Sequence, residues 1–368
     1  MKLAMTMVVR DGGDVLADNI RFHAAQGVDL FVIADHLSTD DSLEVAQRYE
    51  RLGLVDLHRL EGPVQEIWDH ARTRLARRAH ELGADWVINN DQDEFWWPMA
   101  GTLKDAFATV GEEFGVLVAP RADFVARPGK GPYLERMTYR ESRFLRPPKA
   151  AHRANPAVVL DQPHPTRISL EQGFNIDAFA GRPGIDDVSR EVSPAELALV
   201  WAPVFPIRIL HFPIRSLGQY RRRVDVAAAE GMLDVKDRGA VRDAHEAGRV
   251  EALYDELAFS DEQVAAALAD GTLVEDRDLA DYLATCPEPG AGEPRAATES
   301  WTEERRRREV ERLAFEGMYG ITRYARRHAV RRGIDVSRRK VRELRTIKGS
   351  LWWRIRPRIP ATLRRKRR

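Results

Sequence analysis

Two aspartates one residue apart, Asp91 and Asp93, lie in the stretch Asn89-Asn90-Asp91-Gln92-Asp93-Glu94-Phe95, directly behind the apolar run Trp86-Val87-Ile88. In an extended segment positions i and i+2 face the same side, so their carboxylates can converge. Converging carboxylates suit a hard divalent ion that keeps open positions for substrate phosphates. One would meet a nucleotide ribose while the other holds the ion on a diphosphate, stabilising the charge on a departing nucleoside diphosphate. An isolated Asp-x-Asp is more often a solvated acidic turn. Phe95-Trp96-Trp97 beside the pair reads either as a sugar-facing wall or as core.

Two other polar clusters end apolar runs. Val9-Arg10-Asp11 could meet a nucleobase or cap the helix that follows. Asp35-His36-Leu37-Ser38-Thr39-Asp40 contains a cap in Ser38 or Thr39, whereas Asp35 and Asp40 could accept hydrogen bonds from a base or ribose. No Gly-x-Gly-x-x-Gly and no Walker A loop follows the first apolar run, so hydride transfer and P-loop hydrolysis lose support.

The elements that must position these groups alternate. Strands are predicted over 3–9, 28–34, 55–60 and 86–89, separated by helices over 14–26, 40–52 and 65–82. That order calls for a mostly parallel sheet covered on both faces, with ligands bound beyond the carboxyl ends of its strands. A further strand is expected at 114–120. From 123 to about 215 the pattern loosens into short β segments at 134–139, 157–160 and 208–212 among prolines and glycines, suited to building a pocket over the sheet. Helices resume over 216–229, 243–259 and 260–268, with Ser260 as a cap. A linker is expected at 287–300, then helices over 301–334 and 338–347.

The 368 residues are 43% hydrophobic, enough for a real core, and mean hydropathy is −0.44. No run approaches the ~20 apolar residues of a bilayer span. The single Cys286 excludes a disulfide framework. Leu3–Val9 reads as a buried strand rather than a signal peptide, so a cytoplasmic protein is expected. The net charge of +1 hides an asymmetry. Residues 301–368 hold 24 Lys and Arg against 7 Asp and Glu, leaving 34 basic and 50 acidic residues before them. An acidic body with a basic tail suggests a tail that meets an anionic surface or folds back on the body.

Residues 3–225 resemble glycosyltransferase family 2 of the GT-A fold, in the branch with an Asp-x-Asp-Glu-Phe box and a His-(aromatic)-Pro-x-Arg-Ser box. The residues that carry the likeness are Val9-Arg10-Asp11, Asp35 to Asp40, Asp91 to Phe95, Pro148-Lys149 and His211-Phe212-Pro213-Ile214-Arg215-Ser216. His36 stands where that branch usually has Asn. The resemblance implies an α/β GT-A domain with helices on both faces of a mostly parallel sheet, and a helical C-terminal extension. It divides the chain into a catalytic domain 1–225 (nucleotide-sugar half 1–100, acceptor half 101–225), helical extension 226–286, linker 287–300 and basic tail 301–368.

It further implies a nucleotide-sugar donor, most readily a UDP-sugar, a divalent Mn²⁺ or Mg²⁺, and inversion at the anomeric carbon. Val9, Arg10, Asp11, Asp35 and Asp40 would then lie at the nucleoside, with Arg215 toward the donor diphosphate, while Lys149, His152 and Arg153 would line the donor or acceptor side or belong to a solvated loop. Asp91 would sit near ribose or metal, Asp93 would be the main metal ligand and His211 would approach from the far loop. Inversion needs a general base, for which Glu171, Asp161 and His164 are the candidates. The acceptor would be a carbohydrate or lipid-linked glycan, in surface glycan synthesis.

Trp352-Trp353 among Arg354, Arg356 and Arg358 suits a headgroup-level anchor, placing the protein peripherally at the inner face of a membrane. Packing on the body and binding nucleic acid are the other readings of the tail, and no nucleic-acid-binding signature supports the last. A nucleotidyltransferase and a non-catalytic nucleotide- or nucleic-acid-binding module remain the alternatives to a glycosyltransferase. The former would carry a Gly-rich, basic loop after the first strand, of which Arg10-Asp11-Gly12-Gly13-Asp14 is a poor version.

Overall fold

The computed structural model describes residues 1–317 except 63, 113–114, 145, 162–166, 171–173, 178–181, 185–205, 235–238 and 292–293. The chain divides into two compact units, Met1–Tyr324 and Ala325–Arg368, and the description concerns the first. Glu171 and His164, and all of the basic tail beyond 317, lie outside the described residues. The side chain of Asp161 does too.

The first four strands are β1 (Leu3–Val9), β2 (Leu30–Asp35), β3 (Val55–Arg59) and β4 (Trp86–Asn90), joined by α1 (Gly13–Ala25), α2 (Ser42–Arg51) and α3 (Val64–Glu81). After β5 (Glu94–Pro98) and α4 (Leu103–Ala108) come β6 (Val116–Ala119), β7 (Arg121–Asp123), α5 (Tyr133–Arg136), β8 (Tyr139–Glu141) and β9 (Lys149–Arg153). The main sheet runs β3-β2-β1-β4-β9-β6, and β9 alone opposes its neighbours.

Alternation along the strands explains why both faces are covered. Leu3, Met5, Met7 and Val9 of β1, with Phe31 and Ile33 of β2, pack on one side with Leu16 and Ile20 of α1 and Tyr49 of α2. Ala4, Val32 and Ala34 point to the other side, where Leu75, Ala76 and Ala79 of α3 cover them. The sequence expectation of a mostly parallel, doubly covered sheet is what the structure contains.

A short second sheet carries the polar groups of interest. Its order is β5-β14-β7, where β14 is Ile207–His211. Between β9 and β14 an antiparallel set β10 (Val158–Asp161), β11 (Arg167–Leu170), β12 (Phe174–Asp177) and β13 (Arg182–Gly184) forms a separate sheet. Helices α6 (Leu217–Ala229), α7 (Gly239–Glu246), α8 (Val250–Leu257) and α9 (Asp261–Ala269) follow. Then come β15 (Leu273–Glu275), which pairs with β8, and helices α10 (Asp278–Thr285) and α11 (Glu303–Arg312).

Three expectations change. The strand expected over 134–139 is the short helix α5 followed by β8, because Pro132 opens a turn after Gly131, whose φ is +101°. The helix expected over 243–259 is broken by Gly248 at φ +66°, where Arg249 N–H returns to Ala244 O. The stretch 287–300, expected as a linker, is tied down among its described residues. Arg295 N–H donates to Ala25 O, Ala297 and Thr298 are buried, and Trp301 stacks on Trp97.

Candidate active site

Strand register assembles the site. In the second sheet His211 is the direct partner of Glu94 on one side and of Asp123 on the other. The three side chains therefore form one row, and a slip of one residue would turn His211 to the opposite face. Two backbone bonds pin the register, Phe124 N–H to His211 O (2.8 Å) and Phe212 N–H to Asp93 O (3.0 Å).

His211 Nδ1 lies 2.7 Å from Asp123 Oδ1, and its Nε2 lies 3.6 Å from Asp93 Oδ1. A carboxylate on Nδ1 fixes the imidazole's orientation and leaves Nε2 as the working nitrogen. Burial would raise the Asp123 carboxyl, but His211, Arg121 and Arg146 outweigh it and hold it down to about 2. Asp123 is thus a fixed anion and a poor base. Asp93 is also approached by Arg215 Nη1 at 3.4 Å, while the same guanidinium holds Asp14 through two bonds of 2.8 Å.

Asp91 and Asp93 have different partners. Arg72 of α3 meets Asp91 at 2.7 Å, and Lys149 of β9 lies 2.5 Å from its other oxygen. Lys149 also reaches Glu94 at 2.9 Å, and Arg121 lies 2.9 Å from Glu94. Glu94 is fully buried, so both cations are needed to hold its charge. The result is a continuous chain of polar contacts from Arg72 through Asp91, Lys149, Glu94, Arg121, Asp123, His211, Asp93 and Arg215 to Asp14. Lys149, expected to line the donor or acceptor side, is an internal counter-charge to Asp91 and Glu94.

The ends of β1 and β2 are bound to each other. Asp11, at φ +47°, accepts from Thr39 N–H (2.7 Å) and Thr39 Oγ1 (3.0 Å), while its own N–H donates to Ser38 Oγ (3.1 Å). Gly12 N–H donates to Ser42 Oγ (2.8 Å) and Gly13 N–H to Asp40 Oδ2 (3.0 Å). The amides that open α1, which in a phosphate-binding loop would face the anion, are occupied by side chains of the neighbouring loop. This removes the main physical support for a nucleotidyltransferase loop.

Asp11 and Asp40, both expected at the nucleoside, are engaged in this loop pairing. A Cβ on Gly12 would come within 2.3 Å of the Gln92 side chain, which brackets Arg10 through its N–H (3.2 Å) and C=O (3.1 Å). Arg10 itself pairs with Glu230 at the end of α6. Val9 is buried, and its carbonyl accepts from His36 N–H. Asp35 differs: it is only 6% exposed, yet its Oδ1 has no hydrogen-bond partner among the described residues. A buried carboxylate oxygen with a vacant lone pair is costly unless a ligand N–H or O–H fills it.

The rings beside the Asp-x-Asp pair are core, not a sugar wall. Trp96 sits against Phe107 and donates its Nε1–H to Asn90 Oδ1, and Trp97 stacks on Phe22. His152 and Arg153, expected to line the donor or acceptor side, occupy β9, where His152 is buried and Arg153 lies over the Trp86 ring.

Among the described residues no group of three or more His, Cys, Asp or Glu is set to hold a metal ion. The donor pair Asp93 Oδ1 and His211 Nε2 still fits one small divalent ion. Their 3.6 Å spacing is too long for a strong hydrogen bond and short enough for both atoms to reach one ion. Such ions bind through one or two protein groups plus substrate phosphates. Asp91, with its oxygens on Arg72 and Lys149, does not belong to that set.

No family model matches the chain, and no curated protein does. Among solved structures, residues 1–349 of TarS from S. aureus with UDP is similar at 14% identity over 66% of this chain and 68% of that one, with a TM-score of 0.28. A longer TarS structure matches at 19% identity over 36% of this chain and 23% of that one, with a TM-score of 0.25. Glucosyl-3-phosphoglycerate synthase from Mycobacterium tuberculosis, with Mn²⁺ and UDP, is 17% identical over 36% of this chain and 46% of that one, with a TM-score of 0.23. The chain spans less than a quarter of the longer TarS. These likenesses are too loose for any residue to be carried across.

Proposed function

We propose that the protein is a metal-dependent, inverting glycosyltransferase of the GT-A type, taking a sugar from a nucleoside-diphosphate donor, most readily a UDP-sugar, to a hydroxyl acceptor in glycan synthesis. The observation that carries this reading is the pair Asp93 and His211. They come from opposite ends of a 118-residue interval, are locked by strand register, and face each other across 3.6 Å beside Arg215. The five sequence motifs that resemble family 2 support it, and Asp93, His211 and Arg215 belong to two of them.

In this reading the acceptor oxygen bonds to the anomeric carbon as the bond from that carbon to the diphosphate breaks. The electron pair leaves on the nucleoside diphosphate, and the hydroxyl proton passes to a base. Asp93 and His211 Nε2 would hold a Mn²⁺ or Mg²⁺, which when bound neutralises the departing diphosphate. Arg215 adds a fixed guanidinium whose second partner, Asp14, keeps it in place. Asp123 holds the imidazole with Nε2 toward Asp93. Asp35 supplies a vacant acceptor for an N–H of the base.

The base for the acceptor proton is not Asp123, whose oxygens serve His211 and Arg146 and whose carboxyl is held at about 2. Glu171, Asp161 and His164 remain the candidates. The test is a screen of UDP-, GDP-, dTDP- and CMP-sugars with Mn²⁺, following release of free nucleotide. Release from one donor that stops with EDTA and in Asp93→Ala is the expected result. Release that survives both would remove the metal pair from the reaction.

A further inference from the structure

Asp123 has a second surface. Besides holding His211 it lines a cavity of about 580 Å³, within the ~300–1,000 Å³ of small-molecule sites. Four parts of the chain build it: 123–126 running on from β7, 141–143 with Arg146, Pro213 and Ile214 just after His211, and Leu257, Phe259 and 270–273 of the helical extension. The extension therefore contributes directly to a cavity that begins at a residue of the candidate site.

The cavity has two unlike sides. Ile214, Leu257, Phe259 and Leu273 supply apolar surface, and Leu257 is 41% exposed. The polar side is a fixed ion triplet. Arg146 holds Glu141 through bonds of 3.1 and 2.6 Å and Asp123 at 3.0 Å. A carboxylate offers about four lone-pair positions, so Glu141 and Asp123 keep acceptor capacity for hydroxyl groups after Arg146 and His211 are served. Asp123, Glu141 and Asp270 stand against Arg143 and Arg146 on the lining, so the cavity offers no excess of positive charge to draw an anion.

We propose that this cavity is the acceptor subsite and that it takes an uncharged, polyhydroxylated acceptor bearing an apolar group. Its hydroxyls meet Glu141 and Asp123, and its apolar part lies on Ile214, Leu257 and Phe259. This rests on the glycosyltransferase reading and names the acceptor class that reading leaves open. It also gives the helical extension a role, as the wall that reads the apolar group.

The test uses the full chain with Mn²⁺, the donor that the screen identifies, and octyl and p-nitrophenyl glycosides of glucose, galactose and mannose as acceptors. Glycerol 3-phosphate is the anionic comparison. Ile214→Trp fills the cavity and Leu257→Asp adds an anion at its apolar wall. Both variants should raise the acceptor KM at least tenfold while donor hydrolysis without acceptor stays within twofold. Saturation-transfer NMR of octyl β-glucoside reads occupancy independently of turnover, and Ile214→Trp should abolish its signal.

Three results would overturn the proposal: no glycoside binding or accelerating release, glycerol 3-phosphate outperforming the glycosides, or both variants keeping the wild-type KM. A wild type that binds octyl glucoside in the cavity but neither binds nor hydrolyses any nucleotide sugar would instead overturn the reading beneath it.

Discussion

Strand β14 carries two ion clusters three residues apart, and they are built differently. Arg208, 1% exposed, is held by three carboxylates: Asp276 lies at 3.0 Å, Asp278 at 2.9 Å and Glu309 at 3.1 Å, and Trp301 packs on its guanidinium. Arg140 supplies a second cation to Asp276 at 2.6 Å. Burial would raise Asp276, but Arg208 and Arg140 prevail and hold it down to about 2. His211, at the other end of the strand, has one close partner in Asp123 and an open distance to Asp93. The first cluster fastens α10 and α11 to the sheet through Asp278 and Glu309. The second holds one group rigidly and leaves another facing a vacant lone pair. Incomplete pairing in a rigid frame is what distinguishes a site from a fastening.

The largest expected effect separates the two clusters by readout. Arg208→Ala should cost about 3–5 kcal/mol, because it removes the cation that Asp276, Asp278 and Glu309 share. By thermal melting this is a fall of about 10 °C in Tm, with donor turnover per folded molecule retained. Asp93→Asn should do the reverse, lowering donor turnover about 10²–10³-fold with little change in Tm. Equal effects of both on Tm would erase the distinction.

A smaller effect is expected at Asp123→Asn, which keeps the shape and removes the charge on Nδ1. Loss of such an orienting carboxylate costs about 10–100-fold in metal affinity or activity, read by Mn²⁺ titration of the protein with UDP. A variant that titrates like the wild type would show that His211 needs no orientation.

The smallest effect concerns the frame behind the site. His23 Nδ1 faces Asn19 O at 2.9 Å and its Nε2 accepts from Trp96 N–H at 3.0 Å, so the ring is neutral in the fold. Burial pushes His23 down to about 3, and His152 likewise down to about 4. Both are neutral when folded and take a proton when unfolded, so stability is full above about pH 6.5 and is lost as pH falls toward 4. Each contributes a slope of about 1.4 kcal/mol per pH unit in that window. Urea unfolding at pH 7, 6 and 5 measures it, and His23→Gln should remove about half. An unchanged slope in that variant would place the pH dependence elsewhere.

The sheet was readable because β1 and β2 are near-continuous apolar runs, as strands buried on both faces must be, and apolar residues recur at helical spacing in α1 and α3. Asp93 and His211 were reached through motif resemblance, since nothing in their spacing brings residues 118 apart together. Asp123 left no mark: it ends a strand of three residues and gains its meaning from the register with His211. The charges on Asp91 and Glu94 were legible, but their counter-charges were not, because Arg72 and Arg121 look like ordinary arginines until α3 and β7 are placed. Phe95, Trp96 and Trp97 could be read either way because β5 is buried on both faces. Phe95 and Trp97 enter one hydrophobic cluster and Trp96 another.

The most direct test of the central claim is calorimetric titration of UDP, GDP and dTDP into the full chain, with Mn²⁺ and with EDTA, for wild type, Asp93→Asn and His211→Gln. The account predicts Mn²⁺-dependent binding of one nucleotide, UDP foremost, weakened at least tenfold by either substitution. Binding that is indifferent to EDTA and equal in all three proteins would contradict it.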